Sequence, residues 1–429
     1  MNLSFERAKK TLTGILTVPG DKSLAHRALL FASIANGVSR IENYPDSGVT
    51  RSMRGALSSL GVESELSEDG VLTVKGNGFL PFPNKRAVAY CGNSATTIRL
   101  LAGTLAGIGS EATLDGSEGL RRRPMGRVAD PLRTMGVDVS TTPDGTAPLV
   151  FGPKPASGLN ALEYTLPVAS AQVKSALILA ALGANGESVI TEPGPSRDHT
   201  ERMLRAMGAD IISDGLTVRV KPCKNLRAIS GKLPGDISSA SFLFVAAAIV
   251  PGSDITVCGI GLNPTRTGIV DVLSMMGVRI DIFNEREEFG EKVGDVRLRS
   301  NDDLHGVEIA GDLVVRSIDE FPAIAVAGAF AKGETVVREA MELRYKESDR
   351  IAAIVNQLKA LGADIEEFED GFCIRGGTLK GGVARANGDH RLAMSMALAG
   401  LREEVVVEGA EILQESFPDF EKAVKSISV

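Results

Sequence analysis

Two patterns of apolar and polar residues alternate along the chain. The first is a run of small and aliphatic residues that follows a polar, glycine-containing turn and ends at glycine. A segment that is apolar on nearly all sides predicts a helix buried inside a domain. The pattern occurs six times, as GDKSLAHRALLFASIANG from Gly20, CGNSATTIRLLAGTLAG from Cys91, ASAQVKSALILAALGANG from Ala169, PGDISSASFLFVAAAIVPG from Pro234, IDEFPAIAVAGAFAKG from Ile318 and GDHRLAMSMALAG from Gly388.

The second pattern is an amphipathic helix that ends at Leu-Gly or Met-Gly and is followed by strand-like alternation. The glycine is the expected left-handed helix terminator. It recurs at intervals of 69 to 85 residues, at Gly61, Gly136, Gly208, Gly277 and Gly362. In the last of these helices the apolar residues form one stripe, made of Ile351, Ile354, Val355, Leu358 and Leu361.

Together the patterns predict an α/β chain of six repeats, each with a strand, a buried helix, a second strand, an amphipathic helix and further strands. Six repeats exceed what one core accommodates, so we expect two domains of three repeats. The near-identical PGDKS at 19–23 and PGDIS at 234–238 mark the expected crossings. One domain would then span 20–235, and the other would combine 1–19 with 236–429. The cleft between two domains is the default place for a ligand.

The amino-acid composition excludes several classes of function. Hydrophobic residues make up 43% and charged residues 24% of the 429 residues, as in folded globular proteins. The net charge of -7 argues against nucleic acid or an anionic membrane as partner. No apolar run approaches the ~20 residues that span a bilayer. Four cysteines without a C-x-x-C pair and four histidines without ligand spacing predict a cytoplasmic protein and no metal site.

Cations recur at the predicted helix starts, where free N–H groups already attract anions. They are Lys22, Arg27, Arg99, Lys174, His390 and Arg391, and further cations follow in loops at Arg121–Arg123, Arg197, Lys346 and Arg350. If these starts converge, an acidic protein has a cationic interior. This arrangement predicts a small ligand with several negative charges.

Two acids, Asp319 and Glu347, lie within this basic set. A carboxylate among cations can serve in general acid–base catalysis. The residues alone favour structural roles, with Asp319 as a helix N-cap and Glu347 as an ion-pair partner.

The motifs resemble the 5-enolpyruvylshikimate-3-phosphate (EPSP) synthase family over essentially the whole chain, in a form like the bacterial class II. They are PGDKSLAHR (19–27), GNSATTIR (92–99), RRPMGR (122–127), ASAQVKSA (169–176), SRDHTE (196–201), PGDISSA (234–240), NPTRTG (263–268), IDE (318–320), KESDR (346–350) and GDHR (388–391). The resemblance implies a two-domain enolpyruvyl transferase fold of six βαβαββ repeats. It also implies transfer of the enolpyruvyl group of phosphoenolpyruvate to the 5-hydroxyl of shikimate 3-phosphate with release of phosphate, by a monomer without a cofactor.

The resemblance carries site residues over to this chain. The shikimate 3-phosphate site would comprise Lys22, Ser23, Arg27, Ser170, Ala171, Gln172, Arg197, Asp319 and Lys346. The phosphoenolpyruvate site would comprise Lys22, Asn93, Ala95, Arg123, Gln172, Arg350 and Arg391, with His390 in support. Asp319 would handle the hydroxyl proton, and Glu347 and Lys22 are both candidates for the methylene proton.

Two departures from the family pattern affect these expectations. Ala95 stands where many members have glycine, and its methyl group predicts tolerance to the inhibitor glyphosate. Glu415 stands where some members have a lysine that contacts phosphate, so this contact is not carried over to the chain.

Two other functions stay open at this point. A UDP-N-acetylglucosamine enolpyruvyl transferase usually carries a catalytic cysteine in the loop corresponding to 117–124, which has none here. A noncatalytic anion-binding repeat protein would leave Asp319 and Glu347 with structural roles only.

Overall fold

The computed structural model describes residues 1–301 and 303–428. The chain divides into two compact units. The first unit comprises Met1–Asp21, Pro234–Arg286 and Lys292–Val429, and the second comprises Lys22–Leu233 and Glu287–Glu291. The expected boundaries, after residues 19 and 235, each differ from these by two residues, and the short segment 287–291 was expected in the other domain.

Strands and helices alternate in both units. In the described residues the strands are β1 Asn2–Ser4, β2 Thr13–Thr17, β3 Asn36–Glu42, β4 Ser64–Leu66, β5 Leu72–Asn77, β6 Ala87–Tyr90, β7 Ala112–Asp115, β8 Val139–Ser140, β9 Leu149–Phe151, β10 Glu163–Thr165, β11 Ser188–Thr191, β12 Ile211–Asp214, β13 Thr217–Val220, β14 Gly231–Lys232, β15 Asp254–Gly261, β16 Arg279–Glu288, β17 Glu291–Arg299, β18 Glu308–Ile309, β19 Glu334–Val337, β20 Asp364–Phe368, β21 Gly371–Arg375, β22 Gly382–Arg385 and β23 Val405–Glu408. The α-helices are α1 Lys22–Ser33, α2 Gly48–Ser59, α3 Ala95–Ile108, α4 Glu118–Arg121, α5 Gly126–Thr134, α6 Ala171–Ala181, α7 His199–Ala206, α8 Ile237–Ile249, α9 Gly268–Met275, α10 Asp312–Arg316, α11 Phe321–Phe330, α12 Arg350–Ala360, α13 His390–Leu398 and α14 Phe420–Ile427.

The described strands form six small sheets on one plan, three in each unit. The second unit contains β14-β3-β5-β4, β6-β7-β9-β8 and β10-β11-β13-β12, and the first contains β2-β15-β17-β16, β18-β19-β21-β20 and β22-β23-β1. In each sheet the first two strands are parallel. A parallel pair needs a crossover, which the buried helix supplies. The six predicted repeats of a mixed α/β fold are therefore confirmed.

Three strands are exchanged between distant parts of the chain. The second unit is inserted between β2 and α8, so β2 pairs with β15 across the insertion, with Leu16 opposite Val257. Strand β1 completes the sheet of β22 and β23, with Leu3 opposite Val407. In the second unit, β14 occupies the leading position of the first sheet beside β3. The N-terminal strands therefore belong with the C-terminal part of the chain.

The helices of the first pattern form the centre of each unit. They are α1, α3 and α6 in the second unit, and α8, α11 and α13 in the first. Every residue of α8 is buried. Helices α3 and α6 approach so closely that a Cβ atom on Gly103 would lie 2.1 Å from the carbonyl oxygen of Ala176. Small residues in these runs therefore allow the central helices to pack against each other.

The amphipathic helices lie outside the central ones. All five predicted glycine terminators have positive φ, from 86° at Gly362 to 100° at Gly208, as the left-handed termination requires. The predicted stripe of α12 is confirmed, since all five of its apolar residues are buried.

We predict that Gly103→Ala destabilises the second unit by about 1–3 kcal/mol, because the added methyl overlaps the backbone of α6. Gly55→Ala in α2 is the matched control, since a Cβ there meets nothing within 4 Å. It should raise stability by up to about 1 kcal/mol, as alanine favours a helix. Urea unfolding of both variants measures the difference. Equal effects of the two substitutions would contradict this account of the helix packing.

Candidate active site

In the first unit, one buried arginine contacts three carboxylates. Arg350 is the first residue of α12, and its side chain is 1% exposed. Its Nη2 lies 2.6 Å from Glu347 Oε2, its Nε lies 2.8 Å from Asp389 Oδ2, and its Nη1 lies 3.4 Å from Asp319 Oδ1. Burial opposes the guanidinium charge, but the three acids outweigh it and raise the pKa of Arg350.

Asp319 is not the N-cap that its position suggested. It lies in the turn before α11, and Glu320 occupies the N-cap position without a side-chain capping bond. The Asp319 carboxylate instead faces cations: Lys346 Nζ is 4.0 Å from Oδ1, and Arg391 Nη2 is 3.8 Å from Oδ2. Its carboxylate, 14% exposed, is thus near three cations, including Arg350.

Glu347 is an ion-pair partner, as expected from its neighbours. Removal from water would raise its pKa, but the Arg350 guanidinium lowers it below the ordinary value. Glu347 is therefore ionised at neutral pH and is not a resting proton donor.

The start of α13 places three further groups. Asp389 is its N-cap and accepts from the backbone N–H of Arg391 at 2.9 Å. Burial would raise the pKa of Asp389, but Arg350 lowers it to about 2. Removal from water and then the charge of Arg391 lower the pKa of His390 to about 4. The sequence His390-Arg391 therefore contributes a neutral imidazole and a cation at neutral pH.

In the second unit, Arg27 ties three elements together. Its guanidinium, on α1, donates to the Thr200 hydroxyl at 2.7 Å and to the Ser175 hydroxyl at 3.1 Å. It also donates to the Ser23 carbonyl oxygen at 2.9 Å. These contacts join α1 to α6 and α7 and bring Ser23 and Arg27 together. Arg197 is half-buried shortly before α7.

The N-termini of α3 and α6 hold other candidate residues. Ser170 caps α6, so Ala171 and Gln172 lie in its first turn, where N–H groups are free for an anion. Ser94 caps α3 by accepting from the Thr97 N–H at 3.1 Å, which makes Ala95 its first residue. The Asn93 amide oxygen accepts from Ser117 at 3.0 Å.

Arg99 is a further candidate residue, which the residues carried over from the family did not include. Its Nη1 donates to Gln172 Oε1 at 2.6 Å, and its Nη2 to the Pro124 carbonyl at 3.2 Å. Burial, then Arg127 and Arg123, lower the pKa of Arg99 to about 10. In the sequence, only its position at a predicted helix start indicated that Arg99 could bind an anion. These arginines form a cationic group suited to an anionic ligand.

The three consecutive arginines 121–123 have different surroundings. Arg121 pairs with Asp115 and Arg122 pairs with Glu118. Within residues 1–301 and 303–428, Arg123 makes no ion pair. Of the three side chains, Arg123 is therefore the one available to a ligand.

Lys174 is not available to an anion, although its place at a helix start suggested it. The buried ammonium lies 2.6 Å from Glu192 Oε2 and 2.9 Å from Glu201 Oε1, and all three side chains are buried. Burial opposes the charge of Lys174, but the two glutamates raise its pKa. The charge of Lys174 is therefore neutralised within the second unit and is not available to a ligand.

The described residues give little support for a cysteine nucleophile, a metal site or a membrane span. Cys91 is buried, and burial raises the pKa of its thiol to about 12, so it is not a nucleophile. The part of the chain that the structure describes contains no group of His, Cys, Asp or Glu arranged to hold a metal ion. Among those same residues, no helix is long and apolar enough to cross a membrane.

The chain is similar to known proteins over its whole length. Residues 7–424 match the family model described as EPSP synthase (3-phosphoshikimate 1-carboxyvinyltransferase). The 3-phosphoshikimate 1-carboxyvinyltransferase of Syntrophomonas wolfei is 47% identical over 418 residues, which is 96% of each chain. That of Desulforamulus reducens is 44% identical and is covered completely, as is this chain.

Solved structures give the same relationship. EPSP synthase from Acinetobacter baumannii superposes with a TM-score of 0.91 at 39% identity, over 99% of this chain and 98% of that chain. The enolpyruvyl transferase NikO from Streptomyces tendae has a TM-score of 0.77 at 20% identity, over 99% and 96% of the two chains. The second similarity shows the fold alone.

We predict that Asp389→Asn removes a stabilising charge. Because the folded pKa is about 2 and the ordinary value is 3.8, the carboxylate contributes about 2 kcal/mol above pH ~4. That contribution is lost as the pH falls from about 4 to about 2. The variant should therefore be less stable at neutral pH, and its free energy of unfolding should fall less steeply with acid.

Urea unfolding from about pH 2 to pH 7 measures this difference. Asp419→Asn, at the exposed start of α14, is the matched control and should follow the parent chain. Parallel acid profiles for the parent and Asp389→Asn would show that the Arg350 contact does not hold this charge.

Proposed function

Because this chain belongs to the EPSP synthase family and transfers the enolpyruvyl group of phosphoenolpyruvate to shikimate 3-phosphate, we propose that the two groups of residues described above act on these substrates. The first group lies in the first unit around Asp319, and the second lies in the second unit around Arg27 and Gln172. The observation that supports the proposal most is the set of cations Arg350, Lys346 and Arg391 around the Asp319 carboxylate.

We propose that shikimate 3-phosphate binds the residues that the family motif indicates. The phosphate and carboxylate require cations and N–H donors, which Lys22, Arg27, Arg197 and the start of α6 provide. Arg27 supports this role because Thr200 and Ser175 hold its guanidinium in place. Asp319 and Lys346 are the first-unit members of this site, together with Ser23, Ser170, Ala171 and Gln172 in the second.

For phosphoenolpyruvate, the proposed residues are Lys22, Asn93, Ala95, Arg123, Gln172, Arg350 and Arg391. Arg123 and Arg391 suit a bidentate carboxylate or phosphate contact, because most of their N–H donors are uncommitted within the described residues. Arg350 uses three of its five N–H groups on protein carboxylates. Its main proposed role is therefore to hold these carboxylates in position, and it has few N–H donors left for the ligand.

The addition step of the reaction moves two protons. The 5-hydroxyl loses a proton as its oxygen bonds to C2 of phosphoenolpyruvate, and C3 gains one, which gives a tetrahedral intermediate. The intermediate then loses a C3 proton and expels phosphate. We propose that Asp319 accepts the hydroxyl proton. Since Glu347 is ionised at neutral pH, the Lys22 ammonium is the proposed donor to C3.

We also propose that the protein is a monomer of the cytoplasm that binds small molecules and no nucleic acid. The net charge of -7 supports the last point, since a nucleic acid requires a basic surface. The scattered spacing of the four cysteines supports a reducing compartment.

We predict that Asp319→Asn lowers kcat by about 100- to 10,000-fold, because the amide cannot accept the hydroxyl proton. Phosphate release at saturating substrates measures it. Asp312→Asn, in the exposed helix just upstream, is the matched control and should retain the parent rate. Turnover of Asp319→Asn within a few-fold of the parent would assign Asp319 a structural role.

We predict that Ala95→Gly makes the enzyme more sensitive to glyphosate by roughly tenfold or more, since one methyl group in a pocket is worth about that factor. Ala95 is the first residue of α3 and is 6% exposed. The inhibition curve against phosphoenolpyruvate measures the change. Ala423→Gly in α14 controls for a helix weakened by glycine. Overlapping curves for the parent and Ala95→Gly would refute this role of the methyl group.

A further inference from the structure

Glu320 is a buried acid that none of the roles above uses. Its side chain is 1% exposed. The backbone fixes its position, because its N–H donates to the Ser317 carbonyl at 2.8 Å and its own carbonyl accepts from the Ile324 N–H at 2.9 Å. Burial and the neighbouring Asp319 carboxylate raise the pKa of Glu320, while Arg391 and Arg266 oppose that effect. A buried acid in such surroundings needs defined partners.

Ser238 and Arg266 hold the Glu320 carboxylate. Arg266 Nη2 donates to the Ser238 hydroxyl at 2.8 Å. Since an arginine only donates, the Ser238 hydroxyl accepts from Arg266 and gives its single proton to Glu320 Oε1. The direction of both hydrogen bonds is thereby set, and Oε1 must act as an acceptor.

Arg266 is itself anchored on the first unit. Its side chain is 3% exposed and reaches Asp21 Oδ2 at 3.1 Å and Asp236 Oδ1 at 3.3 Å. These two aspartates belong to the PGD segments, which pair with each other through the Asp21 N–H to the Pro234 carbonyl, 2.8 Å. Asp236 also caps α8. Arg266 is therefore held by two carboxylates whose own segments are paired through the backbone.

Arg391 is the cation that faces Glu320. Its Nη1 lies 3.7 Å from Glu320 Oε1, which gives charge compensation without a hydrogen bond. In the described part of the chain, the side chain of Arg391 makes one hydrogen bond, from Nη1 to the Asp319 carbonyl at 3.0 Å. A nearly buried guanidinium needs a counter-charge, and here its remaining N–H donors stay available to a ligand.

We propose that Glu320 is a positioning residue for Arg391, held in place by the Ser238 hydroxyl and the Arg266 guanidinium. Glu320 compensates the Arg391 charge from one side, and the open donors then face the carboxylate of phosphoenolpyruvate. This inference rests on the proposed role of Arg391 in binding that substrate.

The test uses the full-length enzyme with Glu320→Gln. Glutamine has the same size and can still accept from Ser238, but it has no charge to orient Arg391. We expect the KM for phosphoenolpyruvate to rise by about tenfold, as for a weakened charge-assisted contact. The KM for shikimate 3-phosphate should change by less than about twofold, and the melting temperature should fall, since the nearly buried Arg391 loses one of its counter-charges.

Three further variants complete the test. Ser238→Ala should raise the KM for phosphoenolpyruvate in the same direction but less, and Glu320→Asp, which keeps the charge, should recover part of the loss. Glu308→Gln, an exposed glutamate of the same unit, is the matched control and should equal the parent.

Two outcomes separate the inference from the function on which it rests. If Arg391→Ala leaves the KM for phosphoenolpyruvate unchanged, the proposed site is wrong. If Arg391→Ala raises that KM and Glu320→Gln does not, or if Glu320→Asp is no better than Glu320→Gln, Glu320 has no positioning role.

Discussion

The Arg350 guanidinium brings carboxylates from three separate segments of the first unit to one point. Asp319 comes from a turn, Glu347 from a loop and Asp389 from the start of α13. A guanidinium that is 1% exposed is tolerated only because several acids compensate it. The same contacts keep Asp389 and Glu347 ionised. The protonation states and the positions of the acids therefore follow from one buried cation.

One region of the second unit has the opposite arrangement of charges. Around Arg99 the neighbouring ionic groups are the cations Arg123 and Arg127, and burial together with their repulsion lowers the pKa of Arg99. The first unit has acids that match its arginines, whereas this region keeps positive charge uncompensated by the protein. An anionic ligand would balance this charge. The two arrangements therefore differ, since the acids around Arg350 compensate its charge and the arginines around Arg99 repel it.

The local part of the fold could be predicted from the sequence. Runs without polar residues, such as that of α8, must be buried, and a glycine after Met207 or Leu361 has one common structural use. The exchange of β1 and β14 between sheets could not be predicted, because strand pairing over such separations leaves no local pattern. The family motifs supplied the candidate site residues, which the apolar pattern alone did not.

Two interpretations drawn from helix-start patterns were wrong for the same kind of reason. Asp319 looked like an N-cap, but α11 begins two residues later and Pro322 occupies its first turn. The Asp319 carboxylate faces Arg350 instead. Lys174 looked available to a ligand, but Glu192 and Glu201 neutralise it from other elements. In both cases the deciding partner is distant in sequence, and helix-start patterns carry no information about it.

The insertion of the second unit between β2 and α8 has a consequence for synthesis on the ribosome. Every segment of the second unit has been translated once residue 291 is made. Strand β1 is among the first segments to emerge, yet its partner β23 is one of the last. Domains generally fold as units during translation. The second unit can therefore fold before strand β1 of the first unit has its partner, whereas β2 can already pair with β15.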